Sequence, residues 1–305
     1  MFIIAYKKIF LTIAGILMVA SIVAISVFGL NFGIDFTGGS LVEVSYKNER
    51  PSVEKVKSEL NKLSIEEFSV RPAGESNYIL RTGVINKAQK EKTVNALKTS
   101  DDLEVSIERQ TTIGPIIGKE LTRKAFMAII LAILAIIAYI AFAFRGVSKP
   151  VSSWKYGFIA IMALIHDILI PIGIFSMLGY FLGAQINTLF VMAILAILGY
   201  SVNDTIVVFD RIRENLNKNK QTNTMENFDL TVGRSIKDTY VRSINTSLTT
   251  AIVLLALFIF GAQSTQFFAL TLLVGVLAGT YSSLFFAAPL LVFLESRKRV
   301  KATKK

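Results

Sequence analysis

Long uncharged runs organise this chain. The first, Ile9 to Leu30, holds 22 residues without a charge, about 33 Å as a helix and enough to cross a hydrocarbon core of ~30 Å. Further apolar runs follow at Ala125 to Phe144, Tyr156 to Gly183, Ile186 to Phe209, Ile244 to Phe260 and Phe267 to Leu294, so the pattern predicts six membrane-spanning helices. The fifth run crowds Asn245, Thr246, Ser247, Thr249 and Thr250 into its first turns, which predicts that it leans on neighbouring helices. Lys7 and Lys8 precede the first run, which is longer than a signal-peptide core and lacks a following small-x-small cleavage site; it reads as an uncleaved anchor with a cytoplasmic N-terminus. Gly275-x-x-x-Gly279 permits close helix contact in the sixth run. Phe228, Val232, Ile236 and Tyr240 at i, i+4 spacing predict a connecting helix on the inner membrane surface ahead of the fifth.

Between the first two runs, over residues 31–124, the pattern alternates. Ser40 to Tyr46 reads as a strand, Ser52 to Leu63 as a helix and Glu67 to Arg71 as a strand; then Asn77 to Thr82 as a strand, Asn86 to Lys98 as a helix and Leu103 to Gln110 as a strand. The order β-α-β-β-α-β predicts one extracytoplasmic α/β ferredoxin-like domain. It offers no nucleophile beside a base and no phosphate-cradling glycine loop, so a binding or lever module is expected rather than an enzyme domain.

Composition sharpens this picture. With 52% hydrophobic residues, 18% charged and a mean hydropathy of +0.55, the chain is built for lipid, which argues against a soluble enzyme. It has no cysteine and one histidine, so no metal site, cofactor or catalytic residue is expected. The net charge of +11 divides by side: eighteen basic residues fall in the N-terminal tail, the loop after the second run, the 210–243 loop and the 295–305 tail. The segment 31–124 carries 15 basic and 14 acidic residues, and the short loops 184–185 and 261–266 carry no Lys or Arg. The excess therefore marks a cytoplasmic face, with both termini inside. Nucleic-acid binding gains no support.

Two carboxylates lie within apolar runs: Asp167, preceded by His166, and Asp204, preceded by Asn203. At the α-helical rise, Asp167 lies roughly 16 Å and Asp204 roughly 27 Å from the start of its run. An intramembrane carboxyl costs about 2.5–3.5 kcal/mol and normally faces a bundle interior or water, where it marks an ion path. Tyr200, Ser201, Asp204, Val208 and Arg211 form one stripe, which is expected to face inward. Arg242, at the mouth of the fifth run, would give Asp204 a switchable counter-charge. The plainer readings make Arg242 a topology anchor and the acids hydrogen-bonding glue between helices.

Four strings are distinctive: Phe32-Gly-Ile-Asp-Phe-Thr-Gly-Gly39, Gly114-Pro-Ile-Ile-Gly118, Ala163-Leu-Ile-His-Asp167, and Gly199-Tyr-Ser-Val-Asn-Asp-Thr-Ile-Val-Val-Phe-Asp-Arg-Ile-Arg-Glu-Asn215. Over essentially the whole chain they resemble the SecD–SecF protein-export family, a branch of the resistance-nodulation-division (RND) superfamily. The resemblance implies an RND-like half bundle of six helices in a bacterial plasma (inner) membrane, paired with a separate SecD chain because no SecD half precedes the first run. It implies work beside the SecYEG channel and the SecA motor, drawing unfolded preproteins outward with the proton gradient. It also makes Asp204 and Arg242 proton-path residues; Asn203, His166 and Asp167 join them on the chemistry above. The Asp35-Phe36-Thr37-Gly38-Gly39 string is a family signature, and its paired glycines suit either a hinge to the outer domain or a simple turn.

Other classes fit less well. A rhomboid-like protease would resemble Gly-x-Ser-Gly with its His in a later span, whereas here Val202 follows Ser201 and His166 comes earlier. An aspartyl intramembrane protease would want Gly-x-Gly-Asp. The nearer rival is an RND-type exporter subunit for a lipid or small molecule, and one compact outer domain leaves little for a ligand tunnel.

Overall fold

The structure, a computed structural model, describes residues 2–47, 50–63, 68–85, 87–97, 104–144, 151–224 and 226–303. In chain order the elements are α1 (Phe2–Ala5), α2 (Lys7–Phe28), α3 (Ile34–Thr37), β1 (Gly39–Tyr46), α4 (Val53–Asn61), β2 (Phe68–Ala73), β3 (Asn77–Thr82), α5 (Lys87–Leu97), β4 (Val105–Ile113), α6 (Pro115–Ala143), α7 (Ser153–Phe181), α8 (Thr188–Gln221), α9 (Phe228–Phe260), α10 (Gln263–Tyr281), a π-helical turn (Ser282–Ala287) and α11 (Ala288–Thr303). They form two units, one of residues 31–127 with 185–188 and one of residues 1–30, 128–184 and 189–305. Among the sequence expectations, Glu67, Asn86, Lys98, Leu103, Arg145, Lys149, Lys304 and Lys305 lie outside the described residues.

The α/β unit has the expected β-α-β-β-α-β order. Its sheet runs β2-β3-β1-β4 with every neighbouring pair antiparallel, so β3 lies between β1 and β2. Alternation drives the packing, because the period of a strand sends every second side chain to one face. Val42, Val44 and Tyr46 of β1, with Tyr78 and Leu80 of β3, meet Val56 and Leu60 of α4 and Leu97 of α5. Ser52 caps α4 by accepting from the Lys55 backbone N–H at 3.4 Å. Two tyrosines supply buried anchors: Tyr46 donates to the Leu97 carbonyl and Tyr78 to the Pro51 carbonyl, each at 2.6 Å.

Burial pushes the Tyr46 hydroxyl up to about 12, with Tyr78 adding a smaller contribution. A raised folded value means that Tyr46 favours the fold fully below its ordinary value near 10 and loses that contribution as pH climbs through about 12. Tyr46→Phe is expected to lower stability by about 1 kcal/mol at neutral pH, the net worth of one such bond. It should also remove part of the alkaline loss, as read by thermal melting of the detergent-solubilised chain at stepped pH.

The other unit is helical, and among the described residues six helices are long and apolar enough to cross a membrane: Lys7–Phe28, Pro115–Ala143, Ser153–Phe181, Thr188–Gln221, Phe228–Phe260 and Ser264–Ser296. Two boundaries depart furthest from expectation. The 210–243 segment is mostly helix, because α8 continues to Gln221 and α9 already begins at Phe228. No proline interrupts either stretch, and hydrogen-bond propagation carries each helix beyond its apolar part. Between the two helices Asn223 takes a left-handed φ of 51°. Phe228, Val232, Ile236 and Tyr240 are consequently not a separate surface helix. They are the first turns of α9, with the first three buried and Tyr240 exposed. In the last span the helix changes to a π turn at Ser282, a single-turn irregularity typical of functional positions.

Small residues let these helices approach. A Cβ on Gly173 of α7 would lie 2.6 Å from the Cα of Ser21 on α2. Gly275 packs on Ile197, and Gly279 on Ser201, so the Gly275-x-x-x-Gly279 face of α10 seats against α8.

Candidate functional site

Four elements bring polar side chains together inside the helical unit: α7 with His166 and Asp167, α8 with Ser201 and Asp204, α9 with Ser243, and the π turn with Ser282 and Ser283. The stripe on α8 faces inward as its spacing requires: Ser201 and Val208 are buried and Asp204 is half-buried. Seating α10 against α8 through Gly279 holds the following π turn near that stripe.

Asp167 is fully buried and accepts three hydrogen bonds. His166 Nδ1 lies 2.8 Å from Oδ1, Ser282 donates to Oδ2 at 2.7 Å, and Ser201 donates to the same Oδ2. The His166 ring stacks between Tyr281 and Phe286 at centroid distances of 5.9 and 5.5 Å, and its Nε2 has no partner among the described residues. Asp204 accepts from Ser243 at Oδ1, 2.6 Å, and from Ser283 at Oδ2. Around it, Ser247 of α9 accepts from Thr280 at 2.5 Å and from the Tyr200 hydroxyl at 3.4 Å, so Ser247 in the polar start of the fifth span does lean on neighbouring helices.

The structure does not join Asp204 to Arg242. Arg242 and Asn203 are both exposed, and among the described residues no ion pair links Arg242 to Asp204. The reason is helical phase. Ser243, one position on, takes the inward direction on α9, and the 100° step to Arg242 turns it outward. Asn203 is displaced from Asp204 in the same way. Asp204 is thus held by hydroxyls rather than by a cation. Sequence reasoning missed Ser243, Ser282 and Ser283; the adjacent serines in an apolar run were a signal, but the π turn that aims both at carboxylates was not.

In the α/β unit, the Asp35-Phe36-Thr37-Gly38-Gly39 string forms α3 and the entry to β1. Gly38 and Gly39 have φ of 76° and 134°, and a Cβ on Gly39 would lie 2.6 Å from the Thr82 carbonyl oxygen. A Cβ on Gly118, from the second distinctive string, would lie 2.9 Å from the Gly38 nitrogen. The turn is therefore packed from two sides. The Asp35 carboxylate Oδ2 accepts from the Thr188 backbone N–H and hydroxyl, each at 2.8 Å. It caps the first residue of α8, where a negative group also complements the helix dipole. Nearby, Arg81 has Nε and Nη1 without partners among the described residues. Burial and then Arg71 lower its guanidinium to about 10, against an opposing pull from Asp35. Asp35→Ala is expected to cost about 1 kcal/mol through the lost cap, with faster hydrogen exchange confined to the first turn of α8.

Among the described residues no group of three His, Cys, Asp or Glu side chains is arranged to hold a metal ion. The constellation is a hydroxyl-lined pair of carboxylates inside the helical unit.

Comparison with known proteins identifies the class. A family model described as "Protein export membrane protein SecD/SecF, C-terminal" matches residues 92–297, and another described as "SecD/SecF GG Motif" matches residues 23–49. The chain belongs to the SecD/SecF family of protein export membrane proteins. Within that family it is similar to the protein translocase subunit SecF of Thermobaculum terrenum, 38% identical over 282 residues that cover 88% of this chain and 86% of that one. SecF of Anaerolinea thermophila is likewise 38% identical, over 87% of this chain and 84% of its own. The SecDF of Bacillus subtilis is 35% identical over 87% of this chain, which spans 34% of that longer protein. A crystal structure of SecDF, a translocon-associated membrane protein from Thermus thermophilus, superposes with a TM-score of 0.83 at 29% identity, covering 96% of this chain and 38% of that one. The chain is thus a multi-pass, SecF-like protein-export membrane subunit.

Proposed function

We propose that this subunit couples the proton gradient to outward movement of secretory proteins, with Asp204 as the group that takes up and releases the proton. The observation that carries the reading is the setting of Asp204: a half-buried carboxylate on a membrane helix, held by Ser243 of α9 and Ser283 of the π turn and by no cation. Two hydroxyl donors match an ionised carboxylate. Once Asp204 is protonated, its own O–H competes for the same geometry, and the hold of α9 and the π turn on α8 weakens. One proton descending 100 mV supplies about 2.3 kcal/mol, comparable to one or two such hydrogen bonds to a charged group. A shift of α8 would reach the outer domain through the Asp35 cap on Thr188, which gives the glycine motif its coupling role. His166 and Asp167 complete the polar route in this reading, whereas Asn203, turned outward, lies outside it.

The partner is a SecD-like half bundle. Asn203, Arg242 and Asn245 are exposed along α8 and α9, and such amide and charged groups are costly toward lipid. A second half bundle covering this strip, with an acidic residue opposite Arg242, satisfies them, and the fused SecDF relatives support such a pairing. The assembly would sit in a bacterial plasma membrane with both termini cytoplasmic, beside SecYEG and SecA, its substrates unfolded preproteins. The strand order 2-3-1-4 supports a ferredoxin-like outer lever. Gentle purification from native membranes tests the assignment: a six-span SecD-like subunit and channel components should accompany the chain. Its isolation without them, together with ligand-stimulated proton flux, would instead indicate an exporter of lipids or small molecules.

A further inference from the structure

We propose that Ser282 and Ser283 form a hydroxyl bridge through which a proton passes between Asp204 and Asp167, so that Asp167 is a second proton-holding site. This rests on the reading of Asp204 given above and extends it to Ser282 and to a second task for Ser283. Both serines have zero exposure. They are consecutive, yet each donates to a different carboxylate: Ser282 to Asp167 Oδ2 at 2.7 Å, and Ser283 to Asp204 Oδ2. The π turn explains how neighbours do this, since its wider coil brings successive side chains closer around the axis than an α turn does. Ser201 closes the arrangement from the other side. It donates to the same Asp167 oxygen and lies one turn before Asp204 on α8.

The step balances without a further reactant beyond one water between the two hydroxyls. The Asp204 carboxyl O–H breaks and its proton goes to Ser283 Oγ. Ser283 passes its own proton to the water, the water passes one to Ser282, and the Ser282 proton forms a new O–H on Asp167 Oδ2. Each hydroxyl gives one proton and receives one, so the net change is one proton moved. Oδ1 of Asp167 is occupied by His166 Nδ1, which leaves Oδ2 as the receiving atom. The titratable groups facing the bridge are Asp204, Asp167 and His166; among the described residues no Lys or Arg is paired with either carboxylate.

The test uses the chain assembled with its SecD-like partner in vesicles, with carboxyl infrared bands followed after an imposed pH jump and assigned by Asp167→Asn and Asp204→Asn. In the parent complex both bands are expected to respond. The Ser282→Ala/Ser283→Ala variant should slow protonation of Asp167 by about tenfold or more, the order lost when a positioned proton-transfer group is removed, while Asp204 responds at the parental rate. Threonine at both positions keeps the hydroxyls and should restore the rate. If the double alanine variant does not assemble, Ser282→Ala alone is compared with Ser282→Thr, because it touches only the Asp167 end. Asp167 protonating at the parental rate without the hydroxyls, or never responding in the parent, overturns the bridge and leaves the role of Asp204 standing. An Asp204 band that never changes overturns the underlying reading instead.

Discussion

Asp204→Asn is expected to leave the subunit folded and paired while abolishing the gradient-dependent part of protein translocation. Asparagine has nearly the same shape. Its carbonyl oxygen accepts from Ser243, and its amide donates to Ser283, whose hydroxyl already has the Thr280 carbonyl within 3.2 Å as an alternative acceptor. The exchange therefore leaves no buried group unpaired, and its effect on stability should stay near 1 kcal/mol. What it removes is the only titratable atom pair at this position. Translocation into vesicles, compared with and without an imposed gradient, should show no gradient response in the variant and an unaltered basal rate. A retained response would mean that Asp204 is structural.

Arg242→Glu is expected to have the next largest effect, on assembly as well as on work. Arg242 lies about 27 Å along α9 from Phe260, within reach of a ~30 Å core. It is exposed and forms no ion pair with Asp204. A charge in that position is costly toward lipid, about 2.5–3.5 kcal/mol near the centre and less toward the edge, so a partner carboxylate is the economical solution. Reversing the sign places two acids face to face. Co-purification of the SecD-like subunit should fall sharply and recover when the opposing acid in that subunit is changed to arginine. Undiminished pairing in Arg242→Glu would show that the α8–α9 strip is not the covered face.

Much of this was legible from residue order because burial in lipid imposes a crude rule: uncharged runs long enough to span must be helices. The same holds for the α/β unit, where period-two alternation at Val42, Val44 and Tyr46 and again at Tyr78 and Leu80 specified both the strands and the side facing α4 and α5. Helix ends were less legible. Apolar content marks where lipid stops, not where backbone hydrogen bonding stops, so α8 and α9 extend through a segment that reads as loop. Pairing inside the bundle was legible only in part. The stripe through Ser201 and Asp204 turned inward as its spacing required. A phase step of one residue, however, decides between Arg242 and Ser243, and sequence alone does not fix that phase. The π turn at Ser282 inserts a further offset that no local propensity announces, and it gives both carboxylates their partners.

Whether Asp204 carries the coupled proton is read most directly as proton flux, followed by an internal pH dye, in vesicles holding this chain with its SecD-like partner during active translocation, parent against Asp204→Asn. Substrate-dependent flux is expected in the parent and none in the variant; equal flux in the two would rule Asp204 out as the carrier.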